Sequence, residues 1–293
     1  MNHLTGSILG STIAILTISH HCISQSSTKT NAPFRMYSAD KIEAATDVEN
    51  ALYVDRTRKI LLKSSPKGSG DKIEAASSNT KDQYYFEKEH NIVWIKFRAA
   101  RTSKLAFTIT PDSIQDDYDF LLFKAEGPSA MSEIQKRQLK PVRSNISRTR
   151  NINNGLTGLR LGEEHTHTTA GINASFSQPI DVKEGELFYL AVDNVYDKGG
   201  GATIEFMYFE EKVITGKVVD SNNKPLEADI VWESKKMAKE LASTTSRPAD
   251  GMFKITVPYD EEAKDEYTLS IFAEDCFFEE VTYLPTDLEK ENI

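Results

Sequence analysis

Acidic side chains crowd one short stretch in the middle of the chain. Asp116 and Asp117 are adjacent, and Asp119 follows at the start of a run of aromatic and aliphatic residues. Carboxylates at this density suit Ca²⁺, which takes roughly six to eight oxygen ligands in irregular cages. The same side chains also suit the capping of turns, where they accept hydrogen bonds from exposed backbone amides. Calcium binding and turn capping are therefore both open for this cluster.

Basic side chains collect further along the chain. The stretch 134–162 holds seven Lys and Arg residues and no acid. Within it Arg143, Arg148 and Arg150 are the candidates for ligand binding, because guanidinium groups donate paired hydrogen bonds to phosphate or carboxylate. The pattern predicts binding of an anionic envelope polymer. The alternative is a solvated loop whose charges pair with acidic residues elsewhere in the chain.

The sequence patterns favour binding over bond cleavage. His165 and His167 share one face of an extended segment, but a zinc site needs three or four ligands and no further one is in view. No nucleophile elbow, zinc-protease helix or phosphate loop occurs in the sequence. We therefore predict a non-catalytic protein, with an unrecognised hydrolase as the minority alternative.

Composition and charge exclude several classes of protein. Of the 293 residues 39% are hydrophobic and 27% charged, which is typical of folded domains and not of disordered or membrane-embedded chains. Residues 1–212 carry 26 basic and 26 acidic residues, whereas residues 213–293 carry 9 and 18, so the net charge of -9 falls in the last part. This step predicts a domain boundary near residue 212, and the acidity argues against nucleic-acid binding.

The N-terminus has the pattern of an export signal. Residues 6–18 (GSILGSTIAILTI) are apolar but shorter than the roughly 20 residues of a membrane-spanning helix, so no transmembrane span is predicted. Cys22 and Ser24 supply small residues for cleavage after residue 24. We predict export to the periplasm, the outer-membrane surface or the medium. Lipidation of Cys22 is the alternative to its removal.

The elements that must position these groups are strands. Residues 25–84 are polar, with a short helix predicted at 40–50 and the hexapeptide DKIEAA occurring twice, at 40–45 and 71–76, which we interpret as coincidence or remnant duplication. From residue 92 aromatic and β-branched runs of strand length alternate with polar turns, apart from an insertion at 126–179 that opens with a short predicted helix at 128–139. The predicted strands are 92–98, 104–110, 118–124, 186–193, 202–209, 213–220, 228–232, 241–245, 252–257, 267–273 and 278–283.

Two stretches of this pattern resemble known families. Residues 85–209 resemble a jelly-roll-like domain of exported Gram-negative proteins, related to the pre-peptidase C-terminal domain. Residues 214–284 resemble a carboxypeptidase-regulatory-like domain, a small prealbumin-type sandwich, and the pair resembles the N-terminal part of surface proteins of the outer-membrane-protein-A family. The motifs that carry the first resemblance are 93–97 (VWIKF), 105–111 (LAFTITP), 116–120 (DDYDF), 141–145 (PVRSN), 155–159 (GLTGL), 182–186 (VKEGE) and 189–194 (YLAVDN). Those that carry the second are 214–220 (ITGKVVD), 224–230 (KPLEADI), 250–255 (DGMFKI) and 267–271 (YTLSI).

The first resemblance also extends the candidate metal site. It implies that Asp193 and Asn194 end a strand at a loop edge comparable to that of Asp116, Asp117 and Asp119, so these five residues form the candidate calcium set.

The sequence thus predicts an all-β protein of two antiparallel β-sandwiches. Residues 1–24 are the signal peptide, 25–84 a polar segment with short helices or little structure, 85–212 the jelly-roll-like sandwich and 213–293 the smaller prealbumin-like or immunoglobulin-like sandwich. The predicted function is that of a non-catalytic envelope or secreted module that recognises a glycan or a surface protein through its loops. An accessory or targeting protein for a secreted hydrolase is the alternative.

Overall fold

The computed structural model describes residues 14–15, 34–79, 82–149, 153–172, 174–196, 200–263, 265–274 and 279–288. The chain divides into a first unit, Thr28–Tyr208, and a second unit, Phe209–Ile293 together with Met1–Ser27. The helices of the described residues are short: α1 is Ala39–Glu43, α2 is Ala130–Gln135 and α3 is Pro285–Leu288. No helix among these ranges has the length and apolar character needed to cross a bilayer.

Strands dominate both units, which confirms the predicted all-β fold class. In the described ranges they are β1 Ala14–Ile15, β2 Phe34–Tyr37, β3 Leu52–Asp55, β4 Lys59–Leu62, β5 Ile92–Arg98, β6 Ser103–Pro111, β7 Tyr118–Ala125, β8 Arg143–Asn145, β9 Thr157–Leu159, β10 His167–Thr168, β11 Phe176–Ser177, β12 Ile180–Val182, β13 Leu187–Asn194, β14 Ala202–Val219, β15 Asp229–Ser234, β16 Lys239–Thr245, β17 Met252–Tyr259, β18 Tyr267–Phe272 and β19 Glu279–Tyr283.

The first unit is a sandwich of two sheets. Sheet I has the order β11-β9-β6-β14-β4-β2, with β12 also on β6, and sheet II has the order β10-β8-β7-β13-β5-β3. Aromatic rings fill the space between the sheets. The ring centre of Phe206 in sheet I lies 4.7 Å from that of Phe97 in sheet II, and the ring centre of Phe107 in sheet I lies 5.0 Å from that of Phe120 in sheet II. Ring contacts of this kind stabilise a core beyond the area that they bury.

Sheet II is buried on its outer face as well, and this explains why its strands read as continuous apolar runs rather than as alternating ones. Trp94 and Phe123 face outwards from the sandwich and are fully buried. They share a cluster with Val48, Phe86 and, from α2, Ile134. The turn around Val48, the stretch 75–86 and α2 therefore cover the outer face of sheet II.

Two expectations about the organisation of the chain differ from the structure. The segment 25–84 is predicted to hold short helices or little structure, yet β2, β3 and β4 lie in it beside α1. These strands have only four residues each, too few for alternation to stand out from a polar background. The predicted strands 202–209 and 213–220 are one strand, β14, because the residues between them, Glu210 to Lys212, include no turn former.

Most pairings are antiparallel, but the outermost ones in the first unit are parallel. The edge strands β2 and β11 of sheet I pair in parallel with β4 and β9. The edge strands β3 and β10 of sheet II pair in parallel with β5 and β8. All four come from the segment before residue 92 or from the long insertion, so these stretches complete the sheets.

The second unit is the smaller sandwich. The part of β14 that belongs to it pairs with β17 and with β1, and the order β16-β15-β18-β19 forms a separate sheet. Trp232 stacks on Tyr267 at 5.2 Å in a core that also holds Ile214 and Ile255. β1, whose residues Ala14 and Ile15 pair with Val219 and Val218, lies inside the predicted signal segment. The rest of residues 1–24 lies outside the described residues.

Candidate functional site

The strand directions of sheet II bring several loops to one end of the first unit. β13 is antiparallel to both β5 and β7, so its last residue lies beside their first residues. β8 is antiparallel to β7 and parallel to β10, so the last residues of β8 and β10 lie near the start of β7. The loops that precede β5 and β7 and those that follow β8, β10 and β13 therefore meet at one edge.

A cavity of about 460 Å³ opens among these loops. Its wall comes from residues of the segments 86–90, 117–119, 146–148, 170–172 and 195–196, with Asn79. We call it the loop cavity. Its size is within the range of about 300 to 1,000 Å³ that small-molecule sites occupy.

Two of the predicted acidic residues line the loop cavity. Asp117 is buried, and its Oδ1 accepts hydrogen bonds from the backbone N and the hydroxyl of Thr149 at 2.7 and 3.2 Å. Asp119 lies on β7 and is partly exposed. Burial in the wall raises the pKa of Asp119 well above its usual range, and the nearby carboxylates of Asp117 and Asp193 raise it further.

Asp193 lies behind the wall and is directly opposite Asp119 in the β7–β13 register. Its Oδ1 accepts hydrogen bonds from the backbone N of His90 and of Asn91 at 2.9 and 2.7 Å, and its Oδ2 is 2.9 Å from Nδ1 of His90. This contact with Asp193 raises the pKa of His90, which lines the loop cavity. Both carboxylate oxygens of Asp193 therefore stabilise the turn that leads into β5.

The other two members of the candidate calcium set lie elsewhere. Asn194 is fully buried and binds Ser65, its Nδ2 donating to the hydroxyl at 3.0 Å. Asp116 is also fully buried and does not line the loop cavity; a Cβ at Gly200 would lie 3.3 Å from its Oδ2. In the part of the chain that the structure describes, no three His, Cys, Asp or Glu side chains are grouped closely enough to hold a metal ion. Asp117, Asp193 and Asn194 each accept a hydrogen bond from a backbone amide of a neighbouring loop, as turn-capping residues do.

The predicted arginines have different partners. Arg143 donates to the backbone carbonyls of Val142, Gln178 and Pro179 at 2.7 to 2.8 Å, so it ties β8 to the segment before β12. Arg148 lies at the exposed rim of the loop cavity, where its Nη2 donates to the hydroxyl of Tyr196 at 2.8 Å. Arg150 falls outside the described residues.

Sequence reasoning missed two members of the site. His90 precedes β5 as an isolated polar residue, and its partner Asp193 is 103 positions away. Tyr196 follows Asn194 closely, and its ring lies under the guanidinium of Arg148 at 5.7 Å. His167, by contrast, is held by the hydroxyl of Ser144 at 3.0 Å.

Comparisons with known proteins assign no family. No family model and no curated protein matches the chain. Among solved structures it is similar to a Ruminococcus gnavus β-glucuronidase in complex with uronic isofagomine, at 8% identity over 74% of this chain and 37% of that one, with a TM-score of 0.20. A β-glucuronidase of Parabacteroides merdae is similar at 11% identity, and a glycosyl hydrolase family 2 member of Bacteroides cellulosilyticus at 10% identity. Both matches cover 77% of this chain and 36% of the other one, with a TM-score of 0.22. The chain spans little more than a third of these proteins, and likenesses at this level carry no functional conclusion.

Proposed function

We propose that the protein is a non-catalytic binding module of the bacterial cell envelope and that its first sandwich holds a glycan in the loop cavity. The observation that carries this proposal is the convergence of five chain segments on one concave site of about 460 Å³. Concave sites with a few fixed polar groups are where proteins bind small ligands and single residues of polymers.

The wall of the loop cavity fits a sugar ring. Asp119 offers a hydrogen-bonding group for hydroxyls, and Tyr196 offers a ring for the apolar face of a sugar. Arg148 at the rim is held in place by Tyr196, so it meets a ligand with little loss of side-chain freedom. A protein surface, which is usually flat, would make poor use of such a site.

The envelope location rests on the sequence. The apolar stretch 6–18 and the small residues before position 25 favour export to the periplasm, the outer-membrane surface or the medium. A glycan-binding module in that location would serve as an adhesive or structural component, or as an accessory protein that targets a separately encoded hydrolase.

Hydrolysis is a second candidate, and Asp119 is the observation that favours it. A carboxyl group whose pKa is raised in a cavity is suited to general acid catalysis, and the pair of His90 and Asp193 lies beside it.

A glycan array probed with the purified full-length protein, with and without CaCl₂, tests the proposal. We expect glycan binding, no release of product from the bound glycans, and at least about tenfold weaker binding by Arg148→Ala, because a hydrogen bond from a charged donor contributes about 1.5 to 3 kcal/mol. Arg56→Ala is the matched control, since Arg56 is exposed and pairs with Glu184 at the surface. Sugar release would favour the hydrolase, and binding of proteins but of no glycan would overturn the proposal.

A further inference from the structure

Asp117 connects the two loops that carry the rim of the loop cavity. Its Oδ1 accepts hydrogen bonds from the backbone N and the hydroxyl of Thr149, at 2.7 and 3.2 Å, in the loop after β8. Its backbone carbonyl accepts a hydrogen bond from the backbone N of Val195, at 2.8 Å, in the loop after β13. One buried residue therefore fixes the place of both loops.

The residues next to these two anchors contact each other at the rim. Arg148 precedes Thr149, and Tyr196 follows Val195. Nη2 of Arg148 donates to the hydroxyl of Tyr196 at 2.8 Å, and Cζ of Arg148 lies 5.7 Å from the centre of the Tyr196 ring. A hydrogen bond weakens steeply once its donor and acceptor move out of line, so this contact requires the two loops to keep a fixed separation.

The surroundings of Asp117 favour a role in holding loops over contact with a ligand. Asp117 is only 4% exposed, whereas Arg148 is exposed at the rim. Oδ1 of Asp117 already accepts two hydrogen bonds from Thr149. A ligand that enters the loop cavity meets Arg148 and Tyr196 more readily than this buried carboxylate.

We infer that Asp117 is a positioning residue, which sets the affinity of the loop cavity through Arg148 and Tyr196 and does not contact the ligand. This inference rests on the proposed function and concerns the same site. Removal of the Asp117 side chain releases Thr149 but keeps the bond to Val195, which uses the backbone carbonyl. Arg148 then has to be ordered when a ligand binds, and this ordering lowers the affinity.

A double-mutant cycle tests the inference. The full-length protein and its variants Asp117→Ala, Arg148→Ala and the combination of both are titrated calorimetrically with cellobiose, N,N′-diacetylchitobiose and glucuronic acid. For the sugar that binds most tightly, we expect Asp117→Ala to weaken binding about fivefold in the wild type and less than about twofold when residue 148 is already Ala. Equal losses in the two backgrounds would show that Asp117 acts without Arg148 and would overturn the inference.

Two further variants separate positioning from a general loss of stability. Asp117→Asn keeps an acceptor at Oδ1, so its affinity should lie between those of the wild type and Asp117→Ala. Asp265→Ala is the matched control, because Asp265 is a buried aspartate of the second unit that accepts the amide of Lys236 at 2.9 Å and the hydroxyl of Ser234 at 2.6 Å. Thermal melts establish that each variant folds. Asp265→Ala should keep its affinity within about twofold, and a loss as large as that of Asp117→Ala would overturn the inference.

An NMR measurement on the protein without sugar gives a readout that does not depend on the probe. The guanidinium protons of Arg148, identified by their absence in Arg148→Ala, should show a nuclear Overhauser contact with the ring of Tyr196. We expect this contact to persist in Asp117→Asn and Asp265→Ala and to disappear in Asp117→Ala. Its persistence in Asp117→Ala would overturn the inference and leave the glycan-binding function intact. A wild type that binds no sugar and no glycan on the array, with a contact that disappears in Asp117→Ala, would remove the glycan-binding function and support the positioning of Arg148 by Asp117.

Discussion

The same six residues, DKIEAA, adopt two structures in this protein. In the first copy, 40–45, they lie mostly in α1, Ile42 is fully buried and Glu43 is exposed. In the second copy, 71–76, they are irregular, Ile73 is 52% exposed and Glu74 is buried. The isoleucine and the glutamate have thus exchanged environments. Local propensity is the same in both copies, so tertiary contacts decide between the two structures.

The partners of the backbone amides explain the difference. In the first copy Ile42 and Ala44 donate to carbonyls of the helical turn. In the second copy the backbone amide of Lys72 donates to the carboxylate of Asp47 at 2.9 Å, and the backbone amide of Glu74 donates to the carboxylate of Glu89 at 2.8 Å. Side-chain acceptors have replaced helical carbonyls, which allows the chain to stay extended.

The turn that follows the first copy is joined to the second copy by hydrogen bonds. Asp47, which follows the first copy, accepts the amides of the second, and Glu74 of the second copy accepts the amide of Val48 at 2.6 Å. Gly70 permits this approach, because a Cβ there would lie 2.6 Å from Oδ1 of Asp47. The turn at Asp47 and Val48 and the second copy therefore form one hydrogen-bonded structure over the outer face of sheet II.

The largest expected difference between the copies concerns their isoleucines. Ile42→Ala should lower the free energy of unfolding by about 2 to 5 kcal/mol, because it leaves a cavity in a buried site. Ile73→Ala should change it by no more than about 0.5 kcal/mol. Urea denaturation of the two variants measures both values. Equal losses would mean that the copies have the same environment in solution.

A smaller effect should appear in the pH dependence of stability. The carboxyl group of Glu89 accepts hydrogen bonds from backbone amides of the second copy. Burial raises the pKa of this group from 4.5 to about 7. The folded state then binds more protons than the unfolded state between pH of about 4.5 and 7, so stability falls as pH rises through this window, by up to about 3 kcal/mol.

Glu89→Gln should make this slope clearly smaller, because an amide does not titrate, and the raised pKa of His90 contributes part of the slope that remains. Glu87→Gln at an exposed position should keep the full slope. Denaturation curves of the three proteins at pH 4.5, 6 and 7.5 make the comparison. The assignment fails if the wild type and Glu89→Gln show parallel profiles.

The smallest effect concerns the two glutamates of the repeat. Glu74→Ala deprives the buried amide of Val48 of its acceptor and should cost about 1 to 3 kcal/mol. Glu43→Ala should be close to neutral, since Glu43 is exposed in the last turn of α1. Thermal unfolding at pH 7.5 resolves the two. A neutral Glu74→Ala would show that another group accepts this hydrogen bond.

The long strands of the fold could be predicted from sequence because their composition, rich in apolar and aromatic residues, indicates that they are buried. Residues 92–98 form β5 as expected, since a run of seven residues rich in β-branched and aromatic side chains fits a buried strand. Strand β3 escaped prediction because its four residues are specified by their parallel partner β5 and not by their own pattern.

The site was predictable in its residue types but not in its partnerships. Asp117, Asp119 and Arg148 were identified from sequence and do line one cavity, whereas Arg143 and Asn194 are used by the protein itself. Which carboxyl groups the protein itself engages depends on contacts such as that of His90 with Asp193, which span more than a hundred positions. No local pattern carries that information.

The short parallel edge strands of the first unit have a consequence for edge-to-edge pairing between copies of the chain. Long strands such as β5, β7 and β13 would offer rows of unpaired amides and carbonyls to a neighbouring molecule if they were outermost. Strands of two to four residues occupy those positions instead, and so short an edge templates intermolecular pairing poorly. A protein shortened to begin at Ile92 would lose β2, β3 and β4 and expose β5, and it should therefore aggregate.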